Sequence, residues 1–146
     1  MKDKASVQLE VINNQHLQRG EDDRLEYRGE GKLFRKNGKS YLIYEETGEG
    51  IAGARTTVKI APCNERVLIS RQGSGGLRQE FKAGKTHYDS YHTPGGRIQL
   101  KTVTEALNIS LQETAGSVEI EYRLYIAGEY FSRNSLSIKF QIEQEE

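Results

Sequence analysis

Residues 117–142 read SVEIEYRLYIAGEYFSRNSLSIKFQI, and apolar residues alternate with polar ones at both ends of this segment. Successive side chains of a β-strand point to opposite faces, so a period of two predicts half-buried strands. Ala127-Gly128 separates the two alternating runs as a turn. We therefore predict two adjacent antiparallel strands whose inward-facing residues are Val118, Ile120, Tyr122, Leu124, Leu136, Ile138 and Phe140.

Shorter alternating runs fill the rest of the chain, and glycine-containing turns separate them. Asn37-Gly38 is the strongest turn signal, because a type I′ hairpin needs positive φ at both central residues. Between Ile98 and Leu111 the apolar residues change parity, which predicts a β-bulge or a sharp bend near Thr102–Glu105. No helical segment is long enough to connect parallel strands. The pattern predicts an all-β protein: residues 1–146 form a single antiparallel closed barrel of about eight to ten strands.

Composition narrows the class of protein further. The chain has 146 residues, and 21 Lys and Arg balance 21 Asp and Glu, so the global charge makes nucleic acid an unfavoured partner. No run approaches the ~20 apolar residues of a membrane-spanning helix. The single cysteine, Cys63, cannot form an internal disulfide, and the N-terminus shows no signal peptide pattern. We expect a cytoplasmic protein with no membrane association.

Several short elements, in this order and spacing, resemble a known family. They are Tyr41–Glu46, Thr56-Thr57, Arg71-Gln72-Gly73, Phe81 with Gly84, and Tyr91–Gly96. Together they are similar to the YwiB-like family, small proteins of unknown function that come mostly from Gram-positive bacteria and are placed among calycin-like (lipocalin-like) β-barrels. The resemblance implies a barrel fold and a cytoplasmic setting. It brings no established activity with it.

Five polar residues are candidates for a site inside the barrel, and by strand parity most of them face inward: Arg71, Glu45, Tyr91, Thr56 and Gln79. A charge that faces a barrel interior is costly unless it is paired, coordinated or hydrated. One interpretation is a lumen in which Arg71 and Glu45 orient a small ligand, since arginine commonly binds carboxylates. The other is an ion pair between Arg71 and Glu45 near the strand ends. We expect the structural pair and retain the ligand role as the alternative.

The segment His87–Gly96 is the densest polar and aromatic stretch, but its residues do not converge on one chemistry. In a strand His87 and Asp89 share one face and His92 takes the other, so no metal site is predicted. Ser90 lacks a strand–turn–helix context that would activate a nucleophile, so hydrolytic catalysis is the least favoured function. Gly73–Gly76 is interpreted as a hairpin loop, because no helix N-terminus follows to bind phosphate. No cofactor is predicted.

The hairpin around Asn37-Gly38 supports a different class of function. Lys32, Arg35, Lys36 and Lys39 surround this turn, with Phe34 and Tyr41 nearby. Basic residues interleaved with aromatic ones are typical of single-strand nucleic acid binders. The favoured hypothesis remains a non-catalytic binding barrel for a small, partly apolar ligand, and the alternative is a protein- or RNA-contacting module that uses this hairpin.

Overall fold

Ten β-strands make up the computed structural model, which describes residues 4–46, 54–61, 63, 65–72 and 76–143. The strands are β1 (Lys4–Leu17), β2 (Asp22–Lys36), β3 (Lys39–Glu46), β4 (Ala54–Ile60), β5 (Val67–Gln72), β6 (Leu77–Phe81), β7 (Thr86–Thr93), β8 (Gly96–Leu111), β9 (Ala115–Ile126) and β10 (Glu129–Ile142). Within these described ranges no α-helix occurs. No helix there is long and apolar enough to cross a membrane.

The strands form one antiparallel sheet in the order β6-β5-β4-β3-β2-β1-β10-β9-β8-β7. Every consecutive pair in the chain from β1 to β6 and from β7 to β10 is hydrogen-bonded, and β1 also pairs with β10. The two edges, β6 and β7, meet at a bridge between Gly76 and His92. The sheet is therefore a nearly closed barrel, which confirms the predicted all-β antiparallel architecture. We call the meeting of β6 and β7 the seam.

Local geometry agrees with the sequence signals. Asn37 and Gly38 have φ angles of 54° and 78°, as a type I′ turn requires. Ala127 and Gly128 have φ angles of 51° and 86° and form the same kind of tight connection. The ladder between β8 and β9 shifts register between Thr104 and Ala106, so the predicted bulge is confirmed.

Two ends of the barrel are defined by the turns. At the base end β2 turns into β3, β6 into β7 and β8 into β9; at the mouth end β1 turns into β2, β7 into β8 and β9 into β10. The interior half next to the base end, here the base half, contains most of the buried apolar residues, and Leu107, Ile109, Leu111 and Ile142 pack against them partly buried. The apolar residues of the base half that are exposed by 5% or less are Val7, Leu9, Leu33, Leu42, Val58, Ile60, Val67, Phe81, Val118, Ile120, Ile138 and Phe140.

Glycines make room for large side chains in the base half. A Cβ added at Gly116 would lie 2.4 Å from the Phe140 ring, and one added at Gly31 would lie 2.5 Å from Leu9 Cδ1. Both glycines are therefore needed for close approach inside the strands. Arg35 closes the base end, since its Nη2 donates to the Gln112 carbonyl oxygen at 2.9 Å.

Candidate ligand-binding site in the mouth half

Thr56 and Arg71 lie side by side on the inner wall. They are direct cross-strand partners on β4 and β5, so both side chains leave the sheet on the same face. That face is the inner one, because Thr56 and its strand neighbour Val58 are buried. Arg71 is partly exposed and is the second-last residue of β5, at its mouth end. The inward parity predicted for both residues is correct.

Gln79 also faces inward and connects two walls of the barrel. It is buried, and its Nε2 donates to Thr102 Oγ1 at 3.4 Å. Gln79 belongs to β6 and Thr102 to β8, so the hydrogen bond reaches past the edge strand β7. This hydrogen bond connects β6 with β8 across the seam on the inner side of the barrel.

Tyr91 lies at the rim of the mouth end. It pairs with Ile98 and shares its face with His87, whose partner Thr102 is buried inside the barrel. Its side chain therefore has inward parity, but it lies close to the end of β7 and is 38% exposed. Tyr91 can contact a molecule at the entrance and does not line the deeper interior.

Glu45 lies on the outer wall, and the prediction that it faces inward is wrong. It pairs with Arg55, one row away from the inward Tyr44–Thr56 pair, and it is exposed. The expected ion pair with Arg71 is therefore also wrong, because the sheet separates the two side chains. Alternation does not identify the inner face of β3, because this strand is apolar on both faces: Leu42 and Tyr44 point inward, whereas Tyr41 points outward.

A layer of inward-facing polar residues occupies the mouth half, and of its members the sequence predicted only Tyr122 to face inward. We call this set the polar layer; its members are the half-buried Asn13 and the buried Thr102, Thr104, Tyr122, Ser132 and Asn134. Thr104, Tyr122 and Asn134 are successive partners across β8, β9 and β10. Their shared parity with apolar neighbours, such as Asn134 with Leu136, was the signal that could have identified them.

Three oxygens of the polar layer have no hydrogen-bond partner within the described part of the chain: Asn13 Oδ1, Thr104 Oγ1 and Asn134 Oδ1. Asn134 uses its amide nitrogen to donate to Ser132 Oγ at 2.9 Å. A buried acceptor without a donor costs free energy, and native proteins generally satisfy such groups with protein, water or ligand. The polar layer therefore has acceptor capacity that a donor could use.

Tyr122 marks the boundary between the two halves. Its ring packs edge-on against Phe81, with ring centroids 4.9 Å apart. Burial raises the pKa of Tyr122 to about 12, and a hydrogen bond with Asn13 opposes this increase. Tyr122 therefore keeps its proton at neutral pH and supplies a hydroxyl group to the polar layer.

Several inward-facing residues of the mouth half are only half-buried: Val11, Asn13, Tyr27, Ile69, Arg71, Leu77, Leu124 and Leu136. Tyr27 stacks on the buried Tyr44 with ring centroids 5.1 Å apart. These side chains give the inner wall of the mouth half both apolar and polar character. We call the space that they line the mouth cup.

Charged residues gather at the seam. His87 Nε2 lies 3.0 Å from Glu80 Oε2, and Arg78 lies 3.6 Å from the same carboxylate through Glu80 Oε1. Burial raises the pKa of Asp89, with a smaller increase from Glu80, while Arg78, His87 and a hydrogen bond from the Glu80 backbone oppose it. These groups join β6 to β7 where the backbone ladder does not.

The remaining candidate residues do not form a second chemical centre in the described structure. Ser90 pairs with Gln99 on the opposite face from His87 and Asp89. Within the described ranges no group of three or more His, Cys, Asp or Glu could hold a metal ion. Cys63 is exposed. Most of the Gly73–Gly76 loop lies outside the described residues.

The fold and its interior define a ten-stranded antiparallel β-barrel with an apolar base half and a mouth half whose inner wall is partly polar. The chain belongs to the family described as "Domain of unknown function (DUF1934)", whose model matches residues 10–138. It is 27% identical over 122 residues to the uncharacterized β-barrel protein YwiB of Bacillus subtilis (strain 168), which covers 84% of each chain. The predicted resemblance to the YwiB-like family is confirmed.

A crystal structure supports the same relationship. The structure of the ywiB protein from Bacillus subtilis superposes with a TM-score of 0.85 at 26% sequence identity, covering 99% of this chain and 96% of that one. The relatives are themselves uncharacterised, so the family assignment carries the barrel fold and leaves the function open.

Proposed function

We propose that the protein is a non-catalytic binding barrel that takes up a small, partly apolar ligand in the mouth cup. The observation that carries this proposal is that apolar and charged residues stand together on the inner wall of the mouth half and stay half-buried, as Ile69 and Arg71 on β5 and Leu77, the cross-strand partner of Arg71, on β6 do. A barrel of this size can hold one small ligand, and sites for small molecules combine apolar walls with a few polar groups.

The walls of the mouth cup support a ligand of mixed character. Val11, Ile69 and Leu77 provide apolar contact, while Arg71 provides a guanidinium group with several donors. An acidic group on the ligand would be recognised by Arg71, with Thr56 beside it on the next strand. Tyr91 would contact the ligand at the entrance.

The proposal includes no catalytic step. His87 is paired with Glu80. Ser90, which follows His87 by three residues, lies on the opposite face of β7. We extend the proposal to a cytoplasmic setting and a lipocalin-like relationship, and the resemblance to the YwiB-like family supports both. Lipocalin-like barrels are known to hold single small ligands.

Binding of an anilinonaphthalene sulfonate tests the proposal, because this probe is apolar with one anionic group and fluoresces when desolvated. We expect saturable binding to the folded protein and at least a tenfold weaker affinity in Arg71→Met. Arg55→Met is the matched control, since Arg55 precedes Thr56 in the same strand and is exposed on the outer face. Native mass spectrometry of protein purified from its own host gives a second readout, a retained small molecule.

Two results would contradict the proposal. One is an absence of saturable binding to protein whose near-ultraviolet circular dichroism shows a native fold. The other is an equal loss of affinity in Arg71→Met and Arg55→Met, which would place the probe on the outer surface.

A further inference from the structure

The outer wall at the base end carries a surface that the binding barrel does not use. On β1–β4 the outward residues of this region form a set that we call the lysine–aromatic face: Lys4, Lys32, Phe34, Lys36, Lys39, Tyr41 and Lys59. Phe34 and Tyr41 are direct cross-strand partners, and Lys4 and Lys59 flank them in the same row. The two aromatic side chains therefore lie side by side between two lysines.

Each ring of this face already attracts a cation. Lys4 Nζ lies 5.4 Å from the centroid of Phe34, and Lys59 Nζ lies 5.9 Å from that of Tyr41. Lys32 Nζ donates to Ser6 Oγ at 2.7 Å, which holds a third ammonium group on the same wall. Both rings are half-buried, so part of each remains available from outside.

The fold separates charges that are balanced in the whole sequence. Residues 4–9, 31–44 and 55–61, which build this wall, contain no Asp or Glu. Acidic side chains border it: Glu30 and Glu45 lie toward the mouth end, Glu65 lies exposed in the connection after β4, and Glu143 contacts Gln8. The net charge of the whole chain is zero, but the charge of this surface is therefore positive.

Arg35, one of the basic residues of the hairpin sequence, does not belong to the lysine–aromatic face. It has inward parity with Leu33 and binds the carbonyl oxygens of Gln112 and Glu113. Lys4 and Lys59, which are distant from the hairpin in sequence, take its place. The face therefore extends over four strands and is wider than the hairpin alone.

We propose that the lysine–aromatic face binds single-stranded nucleic acid. Aromatic rings on a sheet surface can stack unpaired bases, and lysines beside them can contact the phosphates that connect those bases. A duplex does not present its base faces, and an acidic protein or an anionic membrane would use the lysines without needing the rings. The side-by-side rings between lysines therefore favour an unpaired strand. This inference is independent of the ligand proposed for the mouth cup.

Fluorescence anisotropy with mixed-sequence single-stranded RNA and DNA oligonucleotides tests the proposal on the full chain. We expect binding at low salt that weakens at least tenfold in the double variant Phe34→Leu/Tyr41→Leu, since each stacked base contributes substantially. Lys36→Gln/Lys39→Gln should lower the slope of log K against log salt by about 1.4 for two lost phosphate contacts. The RNA and DNA arms establish which of the two strands is preferred.

Matched variants keep the test decisive. Lys101→Gln/Lys139→Gln removes the same charge from outward-facing positions of β8 and β10 outside the face, and should leave binding unchanged. The inference is wrong if neither strand binds at low salt, or if this control loses as much affinity as Lys36→Gln/Lys39→Gln. It is also wrong if duplexes or vesicles of anionic phospholipid bind as tightly as single strands, with no effect of Phe34→Leu/Tyr41→Leu.

Discussion

The base half and the mouth half of the barrel are built from the same ten alternating strands, yet their inward faces differ in polarity. In the base half the inward positions carry branched aliphatic and aromatic residues, and Val7, Val67 and Phe81 are 0% exposed. In the mouth half the same strands place Thr56, Thr104 and Asn134 on the inner wall. Alternation specifies which face a residue occupies. The size and polarity of the inward residues specify how that part of the interior is packed.

This difference separates stability from binding within one sheet. Burial of apolar surface is the main favourable contribution to folding, so the base half should provide most of the stability. The polar layer buries oxygens that have no hydrogen-bond partner in the described part of the chain, which costs stability. Substitutions in the two halves should therefore have different consequences.

The largest effect is expected at Tyr122, which is buried against Phe81 at the boundary of the two halves. Tyr122→Ala should lower the free energy of unfolding by about 3–5 kcal/mol, since truncating a core aromatic residue loses contacts and leaves a cavity. Tyr91→Ala, at the rim of the mouth end, should change it by less than about 0.5 kcal/mol. Urea unfolding curves measure both, and similar losses in the two variants would contradict the distinction.

A smaller loss is expected from adding one methyl group to the base half. In Gly116→Ala the new Cβ would lie 2.4 Å from the Phe140 ring, so that the ring must move within a packed interior. Overpacking of this kind costs about 1–3 kcal/mol. Gly95→Ala is the control, because its Cβ would meet only Thr93 Oγ1 at 3.8 Å. Thermal unfolding should show a lower Tm for Gly116→Ala alone, and an unchanged Tm would indicate a loosely packed base half.

The smallest effect concerns the seam and depends on pH. The raised pKa of Asp89 means that the folded state holds this proton more tightly than the unfolded state does. Ionised Asp89 therefore reduces stability above its unfolded pKa of about 3.9, and the loss appears as the pH rises toward the folded pKa. Asp89→Asn should raise Tm slightly at pH 7, and the difference should disappear below about pH 4.

Asp23→Asn removes the same charge from an exposed position at the start of β2 and is the control for this comparison. Tm measured from pH 3 to pH 8 separates the two variants. A lower Tm for Asp89→Asn at pH 7 would mean that the electrostatic attraction of the carboxylate to Arg78 and His87 outweighs the cost of its burial.

Local patterns were sufficient to predict much of the fold. The alternation in β9 and β10 identified Val118, Ile120 and Ile138 as inward-facing, and the parity change in β8 located the bulge. Both are properties of a single strand or a single turn, so neighbouring residues in the sequence determine them. The inward faces of Thr56 and Gln79 followed from the same rule.

The rest depended on contacts that a single strand does not encode. Glu45 was assigned to the wrong face because Tyr41, which packs beside Lys59 on the outer wall, made both faces of β3 apolar. The polar layer needs the register of β8 with β9 and of β9 with β10, which aligns Thr104, Tyr122 and Asn134. Arg35 reaches carbonyl oxygens 77 and 78 residues away in sequence, a contact that only the closed barrel creates.

Thiol accessibility on β5 gives the most direct test of the proposed mouth cup. In a Cys63→Ser background, Val67→Cys and Ile69→Cys place a thiol two residues apart on the same inner wall, one in each half. Modification by methyl methanethiosulfonate, followed by mass spectrometry under native conditions, gives the two rates. We expect the cysteine at position 69 to react at least tenfold faster than the one at position 67. Equal rates for the two thiols, whether both fast or both slow, would contradict the division of the interior.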